Sequence, residues 1–441
     1  AKMNYYRRFN LVLILIFLTL AAVAQRGSLA RMVKDTKGAP LYGAAVFVHD
    51  IKAGTVTDSL GRYLFASLPL GHYLVEVSFI GYGSVTGSLN ITGNVVHDFI
   101  LEETVVEQQG VIVTGVATAT RLKQSTQPVT LLKRHDLLRT ASANIIDALA
   151  KEPGVSSLST GPAISKPVIR GLGYNRMVVI NDGMRQEGQQ WGDEHGIEVD
   201  EYSVQRAEVL KGPASLMYGS DAMAGVINLV SHVPIEQGTV KGNILGSFIG
   251  NNDLLGLNMN LAGHGRKGFN WSIYGSHKSA GDYQNKFDSR VFNSRFNEKN
   301  FGGYIGLNRQ WGYSHLLISH FNQRAGKIER ERDAATGSFL VFAGSALERI
   351  ATGADMNSKT PFIPYQHIRH LRIASDNNII LPEGRMNIMV GLQNNKRQEF
   401  GDVTDPNTPE LFFDLHTLNY NIQYHSPAAL GSWTTSYGIN G

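Results

Sequence analysis

Residues 209–230 read VLKGPASLMYGSDAMAGVINLV, and this stretch decides the fold predicted for the rest of the chain. It begins with an apolar pair and continues into Lys211-Gly212-Pro213, a turn that neither a helix nor the interior of a central strand tolerates. It ends in Val226–Val230, whose β-branched composition is typical of a strand. Spacing alone therefore indicates a strand–turn–strand corner, which an ordinary α/β domain could also contain.

The same residues closely resemble the end of the plug domain of TonB-dependent outer-membrane receptors. In that family a glutamate precedes a KGP or RGP turn, and a YG pair and a GGVIN-like strand follow. Matches to the family's IRG and VLIDG strands lie upstream, so the resemblance runs from Asn144 to Val230, with Ala224 standing where a second glycine is usual. The plug signature consists of Arg170, Gly171, Asp182, Gly183, Glu208, Lys211, Gly212, Pro213, Tyr218 and Gly219. The resemblance implies an α+β plug domain over residues 120–235.

Within this predicted plug, residues 143–151 carry apolar side chains at helical spacing, and Pro153-Gly154 predicts the end of the helix. Gly171-Leu172-Gly173 is not a dinucleotide fingerprint, because Arg176 occupies the sixth position and no βαβ unit surrounds it. No phosphate loop or nucleophile elbow is present either. We therefore predict no catalytic residue and no enzymatic activity.

Composition excludes several other functions. The 441 residues carry a net charge of +4 without a dense Lys/Arg run, which argues against nucleic acid as a partner. The chain has no cysteine, so disulfide frameworks, iron–sulfur clusters and thiolate zinc sites are excluded. Only 18% of the residues are charged and 47 are glycine, which suits many short strands and turns.

The first 24 residues have the parts of a secretory signal. Basic residues precede the apolar run Leu11–Leu20, and Ala22-Val23-Ala24 supplies an A-x-A cleavage site. The alternative is a membrane anchor, but the apolar run is shorter than the roughly 20 residues that span a bilayer. We expect cleavage after Ala24 and export of the mature protein.

Residues 27–103 alternate between short strand-like pieces and polar turns, which predicts an N-terminal sandwich of about seven strands. The segments Gly38-Ala39-Pro40-Leu41, Thr57-Asp58, Leu68-Pro69-Leu70-Gly71 and Ile80-Gly81-Tyr82 resemble the carboxypeptidase-regulatory-like domain. That family has an immunoglobulin- or transthyretin-like fold and often precedes the plug in receptors from the Bacteroidetes. The resemblance implies a folding or docking module.

Residues 104–119 are predicted to be a linker that contains the strand-forming run Val111, Ile112, Val113, Thr114 and Gly115. One interpretation is a buried first strand of the plug. The other is a TonB box, an exposed strand that pairs with the edge of a periplasmic partner. The position directly before a plug-like domain favours the TonB box.

One segment of the predicted plug, Met184–Tyr202, is rich in carboxylates. It may be read as a solvated acidic loop or as a ligand-contacting apex that faces the outer opening of the receptor. Carboxylates and imidazole bind divalent cations, and an indole can stack on a chelate. The candidate residues for substrate or metal are Gln190, Trp191, Asp193, Glu194, His195 and Glu198.

After Pro234 the chain changes to long alternating stretches, of which Leu255, Leu257, Met259 and Leu261 form one apolar face. Such strands are typical of a transmembrane antiparallel β-barrel with lipid outside and water inside, whereas soluble sandwiches use strands of about five or six residues. We predict roughly nine strands in residues 236–441, with residues 282–299 and 326–365 as extracellular loops. Because receptors of this family close with about 22 strands, these residues are expected to be the first part of the barrel in a longer receptor. The predicted fold class is thus mainly β.

His367 and His370 are three residues apart on one of these strands. Side chains an odd number apart point to opposite faces of a strand, so we do not expect the two to share a metal. One of them is expected to face the barrel interior alone.

The family resemblance implies an active importer of the outer membrane, with the plug and the N-terminal domain on the periplasmic side. Its partner would be TonB of the TonB–ExbB–ExbD complex, and its ligand a metal ion or a metal chelate such as an iron siderophore, carried as cargo and not as a cofactor. Haem, a cobalamin and an oligosaccharide remain alternative cargoes. A secreted peptidase, an adhesin and a passive porin are rivals that would not need the plug-like residues.

Overall fold

The computed structural model describes residues 26–79, 82–103, 111–112, 120–121, 128–140, 142–188, 195–212, 218–219, 221–232, 235, 238–265, 267–309, 311–329, 331–381, 384–426 and 435–441. The expected signal peptide therefore lies outside the described residues. No helix among the described residues is both long and apolar enough to cross a membrane.

The N-terminal domain is a sandwich of two four-stranded sheets. Its strands are β1 Arg26–Asp35, β2 Ala45–Val48, β3 Ala53–Val56, β4 Arg62–Pro69, β5 Gly71–Ser78, β6 Val85–Ile91, β7 Asn94–Val96 and β8 Phe99–Leu101. β1 pairs with β4, β7 and β8 in one sheet, and the other sheet has the order β3-β2-β5-β6. Alternating apolar residues such as Val46, Val48, Val75 and Val77 fill the space between the sheets. The predicted sandwich is confirmed, with eight strands in place of about seven because the short β7 and β8 both pair with β1.

The plug contains a five-stranded sheet with a pair of short helices on one face. Two-residue strands β9 Val111–Ile112 and β10 Thr120–Arg121 precede it. The remaining elements are β11 Val129–Lys133, α1 Arg134–Arg139, α2 Ile145–Leu149, β12 Val155–Gly161, β13 Ile164–Ile169, β14 Met177–Asn181, β15 Met184–Arg185, β16 Arg206–Lys211 and β17 Gly225–Val230. The sheet has the order β11-β16-β17-β14-β15, and β12 pairs with β13 as a separate hairpin.

Helix α2 confirms the helical spacing predicted upstream of Pro153, although the helix is shorter than residues 143–151. Asn144 caps it by accepting a hydrogen bond from the backbone N–H of Asp147 at 3.0 Å. The apolar side chains of α2 pack with alternate residues of β14, β16 and β17 in one core. The other alternate residues, Val178, Ile180, Leu210 and Val226, form a second core on the opposite face of the sheet.

Residues 239–440 form a nine-stranded antiparallel sheet, as predicted, which is the first part of a barrel around the plug. Its strands are β18 Thr239–Ile249, β19 Leu254–His264, β20 Phe269–Ala280, β23 Phe296–Arg309, β24 Gly312–Gly326, β27 Tyr365–Leu381, β28 Gly384–Phe400, β29 Leu411–His425 and β30 Ser436–Asn440. The long connections contain β21 Gln284–Asn285, β22 Ser289–Arg290, β25 Leu340–Val341, β26 Arg349–Ile350 and the helix α3 Gly353–Asn357.

This sheet exposes its apolar face and buries its polar face, which is the opposite of the arrangement in a soluble protein. Leu257 and Ile273 point outward and are 48% and 61% exposed, whereas Asn258, His315 and Arg397 point inward and are no more than 1% exposed. A continuous exposed apolar face of this kind marks contact with lipid, and buried polar residues require partners on the other side. The inward face finds those partners on the plug.

The barrel wall has two different ends. Three connections at one end are long, over residues 281–295, 327–364 and 401–410, and the first two contain short strands; we call it the long-loop end. At the opposite end, which we call the short-turn end, the connections after His264, Arg309 and Leu381 have two to four residues.

The N-terminal sandwich contacts the short-turn end. The ammonium of Lys52 lies 2.6 Å from the carboxylate of Asp376, and the Arg385 guanidinium lies 2.7 Å from Asp50. Ile380 of the wall is also buried in the core of the sandwich. A cavity of about 940 Å³ lies between the sandwich, the plug and the wall.

Candidate functional site

The stretch 209–230 supplies the centre of the plug sheet. β16 and β17 pair in register from Arg206 opposite Val230 to Lys211 opposite Gly225. A Cβ atom on Gly225 would lie 2.1 Å from the backbone oxygen of Leu210, so only glycine fits there. Ala224 is 4% exposed and packs in the plug core, which accommodates the departure from the family pattern.

The signature residues within the described ranges hold the plug together. Asp182 accepts a hydrogen bond from the backbone N–H of Ser231 at 2.8 Å, and Lys211 donates to the carbonyl oxygen of Pro153 at 2.5 Å. Glu208 is fully buried, with one oxygen 3.1 Å from Nε of Arg206. Arg170, Gly171, Gly183, Gly212 and Gly219 all have positive φ angles and shape the turns between these elements. Tyr218 lies in the same turn region, and Pro213 lies outside the described residues.

Burial alone would raise the pKa of Asp182. The hydrogen bond from His232 and the nearby charge of Arg372 outweigh burial and hold the pKa of Asp182 well below its usual range. Asp182 is therefore a buried anion whose oxygens are engaged at the end of β14. Its role here is to tie β14 to the residues that follow β17.

The carboxylate-rich segment is not a solvated loop where the structure describes it. His195, Glu198, Asp200, Glu201 and Tyr202 are each between 4% and 6% exposed. They lie against the inward face of the barrel wall, so the solvated alternative does not hold for residues 195–202. Gln190, Trp191, Asp193 and Glu194 lie outside the described residues.

Glu198 binds three side chains of the barrel wall. One oxygen lies 2.8 Å from Nδ1 of His370 and 2.5 Å from Nδ2 of Asn395, and the other lies 2.9 Å from Nη2 of Arg397. Burial opposes ionisation, but the hydrogen bond from His370 and the charges of His370 and Arg397 lower the pKa of Glu198. Because this carboxylate is already occupied, Glu198 is an anchor between plug and wall and not a free ligand for cargo.

His370 faces the interior, as the strand alternation predicts, and His367 faces away from it. His370 is 2% exposed, whereas His367 lies 2.9 Å from Asn322 on the other face. The two do not share a site.

Asp200 and Glu201 form a second buried group with Lys278 and Glu298 of the wall. The Lys278 ammonium contacts Glu201 and lies 3.0 Å from Glu298, and Asp200 accepts from Ser276 at 2.7 Å. Although the three carboxylates lie close enough together to hold a cation, Lys278 already occupies their centre. One ammonium cannot balance three buried carboxylates, so burial and the neighbouring acids raise the pKa of Asp200 and raise that of Glu201 to about 8.

This raised pKa predicts a pH effect on stability. A carboxyl whose pKa is about 8 when folded and 4.5 when unfolded favours folding fully below pH 4.5, and that contribution is lost as the pH rises through 8. Glu201→Gln removes the titration, so the variant should lose less stability between pH 5 and pH 8, by at most about 1.4 kcal/mol per pH unit. Thermal unfolding midpoints in detergent measure this. Glu102→Gln, at an exposed position, is the control and should keep the slope of the parent protein.

His195 lies at the long-loop end of the wall. Its Nε2 is 3.7 Å from an oxygen of Glu399, whose other oxygen binds Lys327 at 2.6 Å. Its ring also packs edge-on against Phe413. His195 is thus held on the long-loop side of the plug.

The predicted TonB box is described only at Val111 and Ile112, and Val113, Thr114 and Gly115 lie outside the described residues. Ile112 pairs with Thr120 and Val111 with Arg121 in a two-stranded ladder. Among the described residues, this ladder is separate from the five-stranded plug sheet. The alternative of a first strand within the plug sheet therefore finds no support in the described pairing.

Comparison with known families matches two parts of the chain. The TonB-dependent receptor plug domain matches residues 121–226, and the carboxypeptidase regulatory-like domain matches residues 29–102. The chain therefore contains the plug domain of TonB-dependent receptors, preceded by a carboxypeptidase regulatory-like domain. Both resemblances inferred from the sequence are confirmed, and the family and fold are those of transport receptors.

Two curated relatives match a part of the chain. An iron-regulated outer membrane virulence protein of Vibrio cholerae is 32% identical over 133 residues, which are 29% of this chain and 20% of the relative. The vitamin B12 transporter BtuB of Vibrio vulnificus is 34% identical over 124 residues, 27% of this chain and 20% of the relative. The chain thus spans a fifth of the length of these curated relatives.

Solved structures show the same fold. A ferric enterobactin receptor (PfeA) mutant from Pseudomonas aeruginosa has a TM-score of 0.52 at 15% identity, covering 75% of this chain and 50% of that one. The ferric citrate transporter FecA in its unliganded form has a TM-score of 0.53 at 14% identity, covering 72% of this chain and 47% of that one. The partial barrel around a plug is therefore the architecture of this receptor class.

The wall residues that anchor the plug were missed by the sequence reasoning. Lys278, His370 and Arg397 are charged or ionisable residues on the polar face of strands predicted to cross a membrane. A charged side chain at such a position requires a partner inside the barrel. The charge of these wall residues was therefore the signal in the sequence that could have found them. It does not identify which plug residue is the partner.

Proposed function

We propose that this chain is part of an outer-membrane importer that binds a metal ion or metal chelate outside the cell and releases it into the periplasm. The observation that supports it most is the inverted sheet, whose lipid-facing apolar side and charge-lined inner side enclose a matched plug. A passive porin would have no need of a buried network that seals its lumen. The long-loop end would face outward and the sandwich would face the periplasm.

Energy would come from TonB of the TonB–ExbB–ExbD complex, which would pair with residues 111–115 and pull on the plug. The two-residue ladder of Val111–Ile112 with Thr120–Arg121 is short enough to be exchanged for a partner strand. β11 is the next described strand along the chain and lies at the edge of the plug sheet, so a pull on residues 111–115 would reach that edge first.

For the cargo, we propose that Gln190, Trp191, Asp193, Glu194 and His195 contact a transition metal or its chelate. Oxygen and imidazole ligands favour such ions, and His195 lies at the long-loop end near Glu399. The relatives' names mention iron, ferric enterobactin and ferric citrate. Glu198 is no longer a candidate cargo ligand, because side chains of the barrel wall already bind it.

A second candidate cargo is a cobalamin, since one plug relative is named a vitamin B12 transporter. A corrinoid ring would stack on Trp191 and would not require the carboxylates. The two cargoes therefore differ in their dependence on Glu194.

The test is uptake into cells that lack their own iron and zinc receptors and express the full-length receptor. Radioactive iron and zinc are supplied as free ions and as citrate chelates, with labelled cobalamin in parallel. Glu194→Ala with His195→Ala should reduce metal uptake at least tenfold, because ligand atoms for the cargo are lost.

His416→Ala is the matched control, because His416 is an exposed histidine beside Asp414 on β29. The amount of receptor in the outer-membrane fraction must be equal in all strains. Unchanged metal uptake by the double variant would remove the cargo assignment, and recovery of the receptor in the soluble periplasmic fraction would remove the importer proposal.

A further inference from the structure

Two histidines and an aspartate meet at the short-turn end, away from the acidic segment. His232 follows the last plug strand, and His315 and Asp376 lie on the wall strands β24 and β27. One ligand atom from each lies within 4.8 Å of the others. Asp376 lies six residues along β27 from His370, the partner of Glu198, so the two groups are roughly 20 Å apart.

In the part of the chain that the structure describes, each histidine has one hydrogen-bonded ring nitrogen and one ring nitrogen without a partner. Nδ1 of His232 lies 3.3 Å from Asp182, and Nε2 of His315 lies 2.7 Å from Oδ1 of Asn308. The side-chain amide of Asn308 donates to the backbone oxygen of Lys52, which identifies Oδ1 as the acceptor facing His315. The hydrogen-bonded nitrogens, Nδ1 of His232 and Nε2 of His315, therefore carry the hydrogens. The other two ring nitrogens, Nε2 of His232 and Nδ1 of His315, present lone pairs.

Both lone-pair nitrogens are buried, and among the described residues neither has a hydrogen-bond donor. The His232 side chain is 7% exposed and His315 is 1% exposed. A buried acceptor without a donor is unfavourable, and a metal ion would satisfy both at once. Hydrogen bonds donated by the far ring nitrogens to Asp182 and to Oδ1 of Asn308 are the usual way in which proteins orient metal-binding imidazoles.

We propose that His232, His315 and Asp376 bind a divalent transition-metal ion of the Zn²⁺ class. Two imidazoles and a carboxylate suit zinc, cobalt or nickel, whereas magnesium and calcium prefer oxygen ligands alone. Three protein ligands leave a fourth position for water. His232 and Asp376 both line the 940 Å³ cavity, which gives the ion a path to the site.

Two carboxylates and one ammonium surround this point, so a bound cation would share Asp376 with Lys52. Asp182 and Asp376 are both carboxylates, and Lys52 supplies the ammonium 2.6 Å from Asp376. An ion at this point would join the end of the plug to two wall strands. It would therefore stabilise the packing of plug against wall, independently of which cargo the receptor carries.

The test is Zn²⁺ binding to the purified protein in detergent, without a polyhistidine tag, measured by competition with a chromogenic chelator. One tight site per chain is expected, with a rise in the thermal unfolding midpoint when Zn²⁺ is added. His315→Ala should weaken this site at least tenfold and abolish the rise. Co²⁺ in place of Zn²⁺ should give the strong visible absorption of a four-coordinate ion in the parent protein and lose it in the variant.

Asp376→Asn is the second variant, because it keeps the shape of the side chain and can still accept from Lys52 should His315→Ala fail to fold. His320→Ala is the control: it removes a histidine from the same strand, where the ring stacks on Phe301 and not in the cluster. Equal Zn²⁺ affinity and stoichiometry in the parent, His315→Ala and Asp376→Asn would overturn the proposal, because the bound ion would then be adventitious. Since no transport is measured, this outcome is independent of the proposed import.

Discussion

Ile112→Pro is expected to abolish energy-dependent uptake while leaving binding of cargo to the cell surface unchanged. Under the proposed function, residues 111–115 form a strand with the periplasmic partner, and backbone N–H groups supply the hydrogen bonds of that strand. Proline has no N–H and restricts φ, so it removes one bond of the ladder and disfavours its geometry. Val113→Pro should have the same effect.

Ile112→Val is the matched control, because valine keeps both the N–H and a high strand propensity. Surface binding and uptake are measured on the same cells, with and without collapse of the proton gradient. Uptake by the proline variant should fall to the level of the de-energised parent. If binding is lost together with uptake, the segment belongs to the fold of the plug and the TonB-box assignment is wrong.

The parts of the fold that depend on local pattern were predictable from the sequence. The alternation at Leu255–Leu261 predicts which face of β19 points outward, and the exposed leucines confirm it. The helical spacing before Pro153 likewise predicts α2. In each case the information lies within about ten residues, where the strand and helix periods operate.

The contacts of the barrel wall with the plug and with the N-terminal sandwich could not be predicted in this way. Glu198 and Arg397 are 199 residues apart, and Lys52 and Asp376 are 324 apart. A carboxylate in an acidic segment has the same local pattern whether it faces water or a buried guanidinium. Only the register of nine strands around the plug brings these pairs together, and that register is set by tertiary packing.

The acidic segment Met184–Tyr202 shows how the unpredictability of long-range contacts limits the prediction of function. Read locally, its carboxylates are all equivalent candidates for a cation. The structure separates these carboxylates into different surroundings. Glu198 binds Arg397, whereas Asp200 and Glu201 both lie beside Lys278. The proposed cargo ligands are therefore reduced to Gln190, Trp191, Asp193, Glu194 and His195.

Arg397→Met is expected to unseat the plug. The methionine matches much of the volume of the arginine but leaves the Glu198 carboxylate buried with only His370 and Asn395. Breaking a buried pair by removing one partner typically costs about 3–5 kcal/mol, because the remaining charge stays uncompensated. The unfolding midpoint should fall, and ions should pass through the barrel when the full-length receptor is reconstituted in planar bilayers.

The double variant Glu198→Gln with Arg397→Met tests whether this effect comes from the uncompensated charge. Glutamine can still bind His370 and Asn395 and carries no charge, so the double variant should recover most of the lost stability and close the barrel again. Arg309→Met, at an exposed position on β23, is the control and should behave as the parent protein. If the double variant is as leaky as Arg397→Met, the arginine acts through its packing, and the buried ion pair does not seal the plug.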